Sequence, residues 1–116
     1  MRGGFANPGF AVPDFSRFTT RAGCEAAVYR RELVELDLLP GELCGDGCVS
    51  NRVFVPPCIA EQKRRIDADT ILPLMRAGKL KHYHAQPVFR GRSLVPVEIT
   101  LHAHGPAGYA TTLSIW

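Results

Sequence analysis

The four histidines of the chain occur in two His-x-His pairs, His82/His84 and His102/His104. Side chains alternate between the two faces of a strand, so each pair lies on one face of a predicted strand. If the two strands pair with even positions opposite even positions, all four imidazoles share one surface. Two imidazoles at this spacing can bind one metal ion in a β protein. A metal site formed by these four residues is therefore one hypothesis.

The same predicted face carries Glu98 and Thr100. A carboxylate beside imidazoles and a hydroxyl can perform acid–base chemistry, so a small metal-dependent or RNase-like enzyme using the two histidine pairs and Glu98 is an alternative function. An enzyme needs these residues in a concave site with shifted pKa values. A polar strand face is more typical of a solvated or partner-covered surface, and we expect the chain itself not to be an enzyme.

The four cysteines are Cys24, Cys44, Cys48 and Cys58. Their spacings match no common zinc knuckle, and no secretion signal supports an oxidising compartment. We therefore expect free thiols that behave as small hydrophobic side chains, in a cytoplasmic protein.

Length and composition predict one globular domain. The chain has 116 residues, 46% of them hydrophobic and 22% charged, with a net charge of +3. No apolar run is long enough to span a membrane, and the charge excess is too small to predict direct nucleic-acid binding. We expect residues 1–9 to form a loose N-terminal lead-in and residues 10–116 to form the domain.

The last third of the chain has an apolar period of two. It predicts a three-stranded antiparallel meander with one apolar and one polar face, with turns at residues 90–93 and 105–108. Pro87 and Pro96 predict bulges or edge positions, because proline cannot donate a ladder hydrogen bond.

The first two thirds predict mainly helices. Residues 10–12 and 17–20 fit a small hairpin, residues 22–36 fit an amphipathic helix, and residues 59–77 fit a longer helix. Pro73 is expected to kink the longer helix, and Gly78 to cap it. Its predicted apolar face is formed by Ile59, Ile66, Thr70, Leu74 and Ala77. The layout predicts an α+β fold, with about five antiparallel strands in one sheet and the helices packed on one face.

Residues 89–101 (FRGRSLVPVEITL) resemble the PAS family, in which an aromatic residue and a charged turn with glycine precede an apolar-Pro-Val-Glu-Ile-Thr strand. Residues 108–116 look like the final strand of that family. Residues 39–45 (LPGELCG) and 54–57 (FVPP) resemble the stretches before its middle and long helices.

The resemblance implies a PAS-like fold and a sensory, signal-transduction module. Such a module binds a small ligand or a partner and transmits the change through dimer or linker geometry. It further implies a homodimer and a covalently linked output domain in a longer protein. A ligand-free dimerisation or protein-interaction module is another alternative, with Phe5, Phe10, Phe15 and Phe18 as its anchors.

The same resemblance leaves the cofactor unknown, or absent. No histidine lies in residues 50–80, where haem-binding members of the family often take a ligand. The flavin-binding branch surrounds its reactive cysteine with a motif of which residues 45–51 keep only the glycine and Cys48. Haem and flavin are both disfavoured, and Cys48 is not expected to be photoactive.

With haem and flavin disfavoured, the space between the sheet and the helices is either an apolar ligand pocket or a filled core, and the two are equally consistent with the sequence. The candidate lining comes from the inner sheet face and the helices and comprises Tyr83, Phe89, Val97, Ile99, Leu101, Leu113, Ile66 and Leu74.

Overall fold

The computed structural model describes residues 14–39 and 52–116. In chain order the elements of these residues are α1 (Arg21–Tyr29), β1 (Val34–Asp37), β2 (Arg52–Val55), α2 (Pro57–Ile66), a π-helical segment (Asp67–Ile71), α3 (Leu72–Arg76), β3 (His82–Val88), β4 (Glu98–His104) and β5 (Gly108–Ser114). The described elements are helices and two separate antiparallel sheets, which confirms the α+β class.

The predicted meander is present as the antiparallel sheet β3-β4-β5. Tyr83 pairs with Ala103, and Leu101 pairs with Thr111, so odd positions lie opposite odd positions across all three strands. Ile99 and Leu101 are fully buried on the inner face. Pro87 lies in β3, an edge strand among the described residues, as expected for a residue without a backbone donor. Pro96 lies in the connection before β4.

The remaining described strands do not join this sheet. β1 and β2 pair antiparallel as a separate two-stranded sheet, so the prediction of one sheet of about five strands is not met in the described residues. Residues 17–20 are not a strand either; the Thr20 hydroxyl instead accepts a hydrogen bond from the Gly23 N–H and caps α1. The partner strand predicted at residues 10–12 lies outside the described residues. The PAS-like fold therefore stays a prediction.

The helix predicted over residues 22–36 is too long. α1 ends at Tyr29, and Arg31 adopts a left-handed φ of 66°. The Glu32 N–H then donates back to the Ala27 carbonyl, which closes the helix end. The apolar residues that follow fit a helix face and an alternating strand equally well, and pairing with the distant β2 selects the strand.

The longer predicted helix is confirmed as a continuous helical stretch from α2 to α3. Pro57 lies in its first turn, where the missing N–H costs nothing. A π-helical segment precedes Pro73, and in it the Leu72 N–H donates to the Asp67 carbonyl five residues back. The kink expected at Pro73 stays a prediction. Gly78 follows the last turn with a φ of 75°, which confirms its predicted place as the cap.

The buried side of this helical stretch differs from the predicted one. The residues that it buries are spaced four apart: Ile59, Lys63, Asp67 and Ile71. Ile66, Thr70 and Leu74 are half-buried, and Ala77 is exposed. The expectation missed Lys63 and Asp67, because charged residues were assigned to the solvent side.

One hydrophobic cluster joins the inner sheet face to the helices and to the segment before α1. Phe18 is buried in it, and Phe15 packs against it with its ring edge-on to Trp116 at 6.5 Å. These two side chains therefore belong to the core and are not exposed dimerisation anchors, while Phe5 and Phe10 lie outside the described residues. No helix in residues 14–39 and 52–116 is long and apolar enough to cross a membrane.

Candidate functional site

The two His-x-His pairs face each other across neighbouring strands. His82 pairs directly with His104, and His84 pairs directly with His102. The even-to-even register that would bring the two pairs together is therefore present, and all four side chains are exposed on the outer face of the sheet. We call these four residues the histidine quartet.

The four rings lie close together, and three of their four close contacts are near-parallel stacks. The ring centres of His82 and His104 are 4.8 Å apart, and those of His84 and His102 are 6.5 Å apart. His104 also lies 5.8 Å from His84 and 5.4 Å from His102. His104 is thus the central member of the quartet, because its ring neighbours each of the other three.

The position of His104 affects its protonation. Partial loss of solvent among the neighbouring rings, followed by repulsion from the other three imidazoles, lowers the pKa of this exposed side chain below its usual 6.5. The folded protein therefore binds fewer protons at this site than the unfolded chain as the pH falls below about 6.5. Acidification through that range lowers the free energy of unfolding.

The surroundings leave the quartet open. On the third strand, Gly108 lies opposite His104 and Ala110 lies opposite His102. These small residues do not cover the rings, and a Cβ added at Gly108 would meet no atom within 4 Å. The rings are therefore accessible from the β5 side as well as from above the sheet.

Glu98 lies on the same outer face of the sheet as the histidine quartet but at a distance from it. It pairs with Val88 and Ser114 at the opposite end of β4. It lies four positions before His102 along β4, which at the rise of a strand is about 13 Å. Thr100 lies between them, paired with Gln86 and Thr112. The carboxylate of the alternative enzyme is therefore not brought beside the imidazoles.

The quartet is not arranged as a finished metal centre. Within the described ranges, no three His, Cys, Asp or Glu side chains are placed to hold a metal ion as they stand. The stacked rings lie side by side instead of converging on one point. All four side chains are exposed, however, so rotation about their side-chain bonds meets little obstruction.

A buried polar network lies behind the quartet, on the inner side of β3. Tyr83 is the residue between His82 and His84, and its hydroxyl donates to Asp67 Oδ1 at 2.6 Å. The second carboxylate oxygen, Oδ2, accepts from Lys63 Nζ at 2.5 Å. Lys63 is 0% exposed and Asp67 is 7% exposed, so the ion pair is buried. We call Lys63, Asp67 and Tyr83 the buried triad.

Burial affects the protonation of two members of this triad, Lys63 and Tyr83. It lowers the pKa of Lys63, against the opposing effect of the Asp67 hydrogen bond and of the charges of Asp67 and Asp37. Burial, followed by the bond to Asp67 and its charge, raises the pKa of Tyr83. The Tyr83 hydroxyl therefore keeps its proton and remains a donor at every physiological pH. Lys63 Nζ also lies 5.5 Å from the centre of the Tyr83 ring.

Sequence reasoning missed Lys63 and Asp67 as site residues, although a signal was present. Ile59, Lys63, Asp67 and Ile71 recur every four residues, so the charged pair lies on the same stripe as two isoleucines. The π-helical segment begins at Asp67 itself. Such segments are frequent at functional sites, which gives the triad a second distinguishing feature.

The predicted pocket residues differ in burial. Tyr83, Ile99, Leu101 and Leu113 are buried on the inner sheet face. The half-buried members of the set are Val97, Ile66 and Leu74. Phe89 lies beyond the end of β3 and is 47% exposed, so its predicted place in the lining is wrong.

Two of the four cysteines lie in the described residues, and both are free thiols, but only Cys24 is buried as a small hydrophobic side chain would be. Cys24 is buried, and desolvation raises its pKa, whereas Cys58 is exposed. The predictions for Cys44 and Cys48, including the flavin argument at Cys48, fall outside the described residues.

Comparisons of the chain with family models, with curated proteins and with solved structures find no match. The resemblance to the PAS family therefore stays a prediction, and the function has to follow from the geometry of the quartet and the triad.

Proposed function

We propose that this chain is a sensory module whose receiving site is the histidine quartet and whose response passes through Tyr83 to the buried triad. The observation that carries the proposal is the position of Tyr83. Its two sequence neighbours are quartet members on the outer face, and its own hydroxyl holds Asp67 on the inner face. One strand thus connects an open, titratable surface to the π-helical segment.

Protonation is the simplest signal that this site can receive. Imidazole is the side chain whose charge changes most readily near neutral pH. Two imidazolium rings 4.8 Å apart repel each other, and this separates the side chains of β3 and β4. The charged or titratable groups of the surrounding elements are the quartet itself, Lys81 beside His82, and Glu98 at the far end of β4.

The buried triad is suited to respond, because even a small displacement of one side chain disturbs its hydrogen bonds to the others. Asp67 holds both partners with short hydrogen bonds, and unpairing any member leaves a buried polar group. The titratable groups around Tyr83 are Asp67, Lys63 and Tyr109, and Asp37 acts on Lys63. A displacement of β3 at Tyr83 therefore acts directly on the first residue of the π-helical segment.

An NMR titration tests the proposal. All four histidines of the chain belong to the quartet, so histidine resonances report on this site alone. From pH 8 to pH 5.5, we expect the backbone amides of Asp67–Ile71 to shift with the midpoint of the histidine rings. Tyr83→Phe removes the donated hydrogen bond and is expected to abolish that response.

Tyr109→Phe is the matched control, since Tyr109 occupies the inner face of β5 and pairs with Ala103 next to Tyr83. It should leave the response intact. The proposal fails if the amides of Asp67–Ile71 do not move with histidine protonation, or if they move equally in Tyr83→Phe.

A further inference from the structure

We infer that the histidine quartet binds one divalent transition-metal ion of the zinc, nickel or copper class. This inference rests on the proposed function, because it names the ligand of the same receiving site. The juxtaposition that carries it is the direct pairing of two His-x-His segments on adjacent antiparallel strands.

The donor set selects the class of ion. Four imidazoles, with no carboxylate beside them in the part of the chain that the structure describes, suit zinc, copper or nickel, whereas calcium and magnesium require oxygen ligands. The only carboxylate on the outer face of the described sheet is Glu98, at the other end of β4. Neutral imidazole is the ligand form, so a metal ion at this site competes with protons.

The ring separations suit coordination. A zinc–nitrogen bond of about 2.0–2.1 Å in tetrahedral geometry places the centres of two bound imidazoles about 5 Å apart. His104 lies 4.8 Å from His82, 5.4 Å from His102 and 5.8 Å from His84. The ring centres of His84 and His102 are 6.5 Å apart, so these side chains must rotate closer together as well as turn towards one point. Three imidazoles with a solvent molecule in the fourth position complete a common zinc geometry.

The open surroundings permit this change. The four rings are exposed, and Gly108 and Ala110 leave the β5 side uncovered. Rotation of exposed rings from stacked to converging positions disturbs no buried contact. Lys81 lies next to His82 and carries a positive charge, but it is exposed, so solvent weakens its repulsion of a bound cation.

Isothermal titration of the full chain with zinc chloride at pH 7.5 tests the inference. The titration uses protein without a polyhistidine tag, and a non-chelating reductant keeps the cysteines reduced. We expect one zinc ion per chain, confirmed by the mass of the native complex. Removing the central ligand in His104→Gln should weaken binding by at least about tenfold.

Gln86→Ala is the matched control, because Gln86 occupies the same outer face of β3 and has no imidazole neighbour in its register pair, Thr100. It should bind zinc as the wild type does. Equal zinc affinity in wild type and His104→Gln would place the ion elsewhere, at the cysteines for example, and would overturn the inference. Failure of the wild type to bind zinc would also overturn it.

The metal inference and the sensory proposal fail in different ways. Zinc binding lost in His104→Gln supports the metal site even if the amides of Asp67–Ile71 do not respond to protonation. The opposite result, a protonation response without zinc binding, would leave the sensory proposal standing and overturn the metal site.

Discussion

Asp67 is the central residue of the buried triad on the inner side of the sheet. Its carboxylate accepts a hydrogen bond from the hydroxyl of Tyr83 and another from the ammonium group of Lys63, which has no solvent exposure. A buried ion pair is weak evidence for net stabilisation, but removing one partner leaves an uncompensated buried charge. The triad therefore makes a specific prediction for its central residue.

Asp67→Asn is expected to lower the free energy of unfolding by about 3–5 kcal/mol, because Lys63 loses its counter-charge. Asp69→Asn is the control, since Asp69 lies two residues away and is exposed. Urea unfolding followed by circular dichroism measures both. Adding Lys63→Met to Asp67→Asn removes the unpaired charge and should recover most of the loss. Equal midpoints for Asp67→Asn and Asp69→Asn would show that the pair is not buried as described.

The arrangement of the four histidines was partly predictable from the sequence. Their spacing and the period of the strands predicted that each pair lies on one face, and the strand register, which the sequence left open, brings both pairs together. The central position of His104 was not predictable, because it depends on how exposed rings lie relative to each other. Lys63 and Asp67 were missed because burial of an ion pair depends on the element that packs over it.

At the scale of elements, the start of β3 and the β4–β5 turn support each other. The Lys81 N–H donates to the His104 carbonyl, and the Ala107 N–H donates to the Lys79 carbonyl. Gly105 lies in this turn against the same backbone. A Cβ there would lie 2.8 Å from the Lys79 carbonyl oxygen and 2.9 Å from the Lys81 nitrogen.

Gly105→Ala should therefore destabilise the protein by about 1–3 kcal/mol, since neither backbone atom can move without breaking a hydrogen bond. Gly108→Ala is the matched control three residues later, where an added Cβ meets open space. Thermal unfolding monitored by circular dichroism compares the two. A Gly105→Ala variant as stable as Gly108→Ala would mean that the turn does not pack against residues 79–81.

Elements with a clear period were predictable, and elements that depend on distant pairing were not. The meander follows from alternation within each strand. β1 follows only from its pairing with β2, whose position in the fold a local pattern does not reveal. The π-helical segment was not predicted, because the hydrogen-bond register of a helix depends on its packing.

At the scale of the whole molecule, the sheet β3-β4-β5 separates two polar sites that a single strand links. The quartet lies on the outer face, the triad lies on the inner face, and Tyr83 is in the same three-residue stretch as two quartet members. The sequence predicted the two faces and their polarity. It did not predict the link, because the charged residues of the long helix were assigned to solvent.

Reciprocity makes this link measurable from the histidine side. If protonation of the quartet weakens the Tyr83–Asp67 hydrogen bond, then removing that bond must make protonation easier by the same free energy. A coupling of about 1 kcal/mol corresponds to a rise of about 0.7 in the pKa of His104.

The most direct measurement is the pKa of His104, determined by NMR titration in wild type, Tyr83→Phe and Tyr109→Phe. We expect the pKa of His104 to rise in Tyr83→Phe and to keep its wild-type value in Tyr109→Phe. An identical pKa in all three proteins would contradict it, because the quartet and the triad would then be independent features of one sheet.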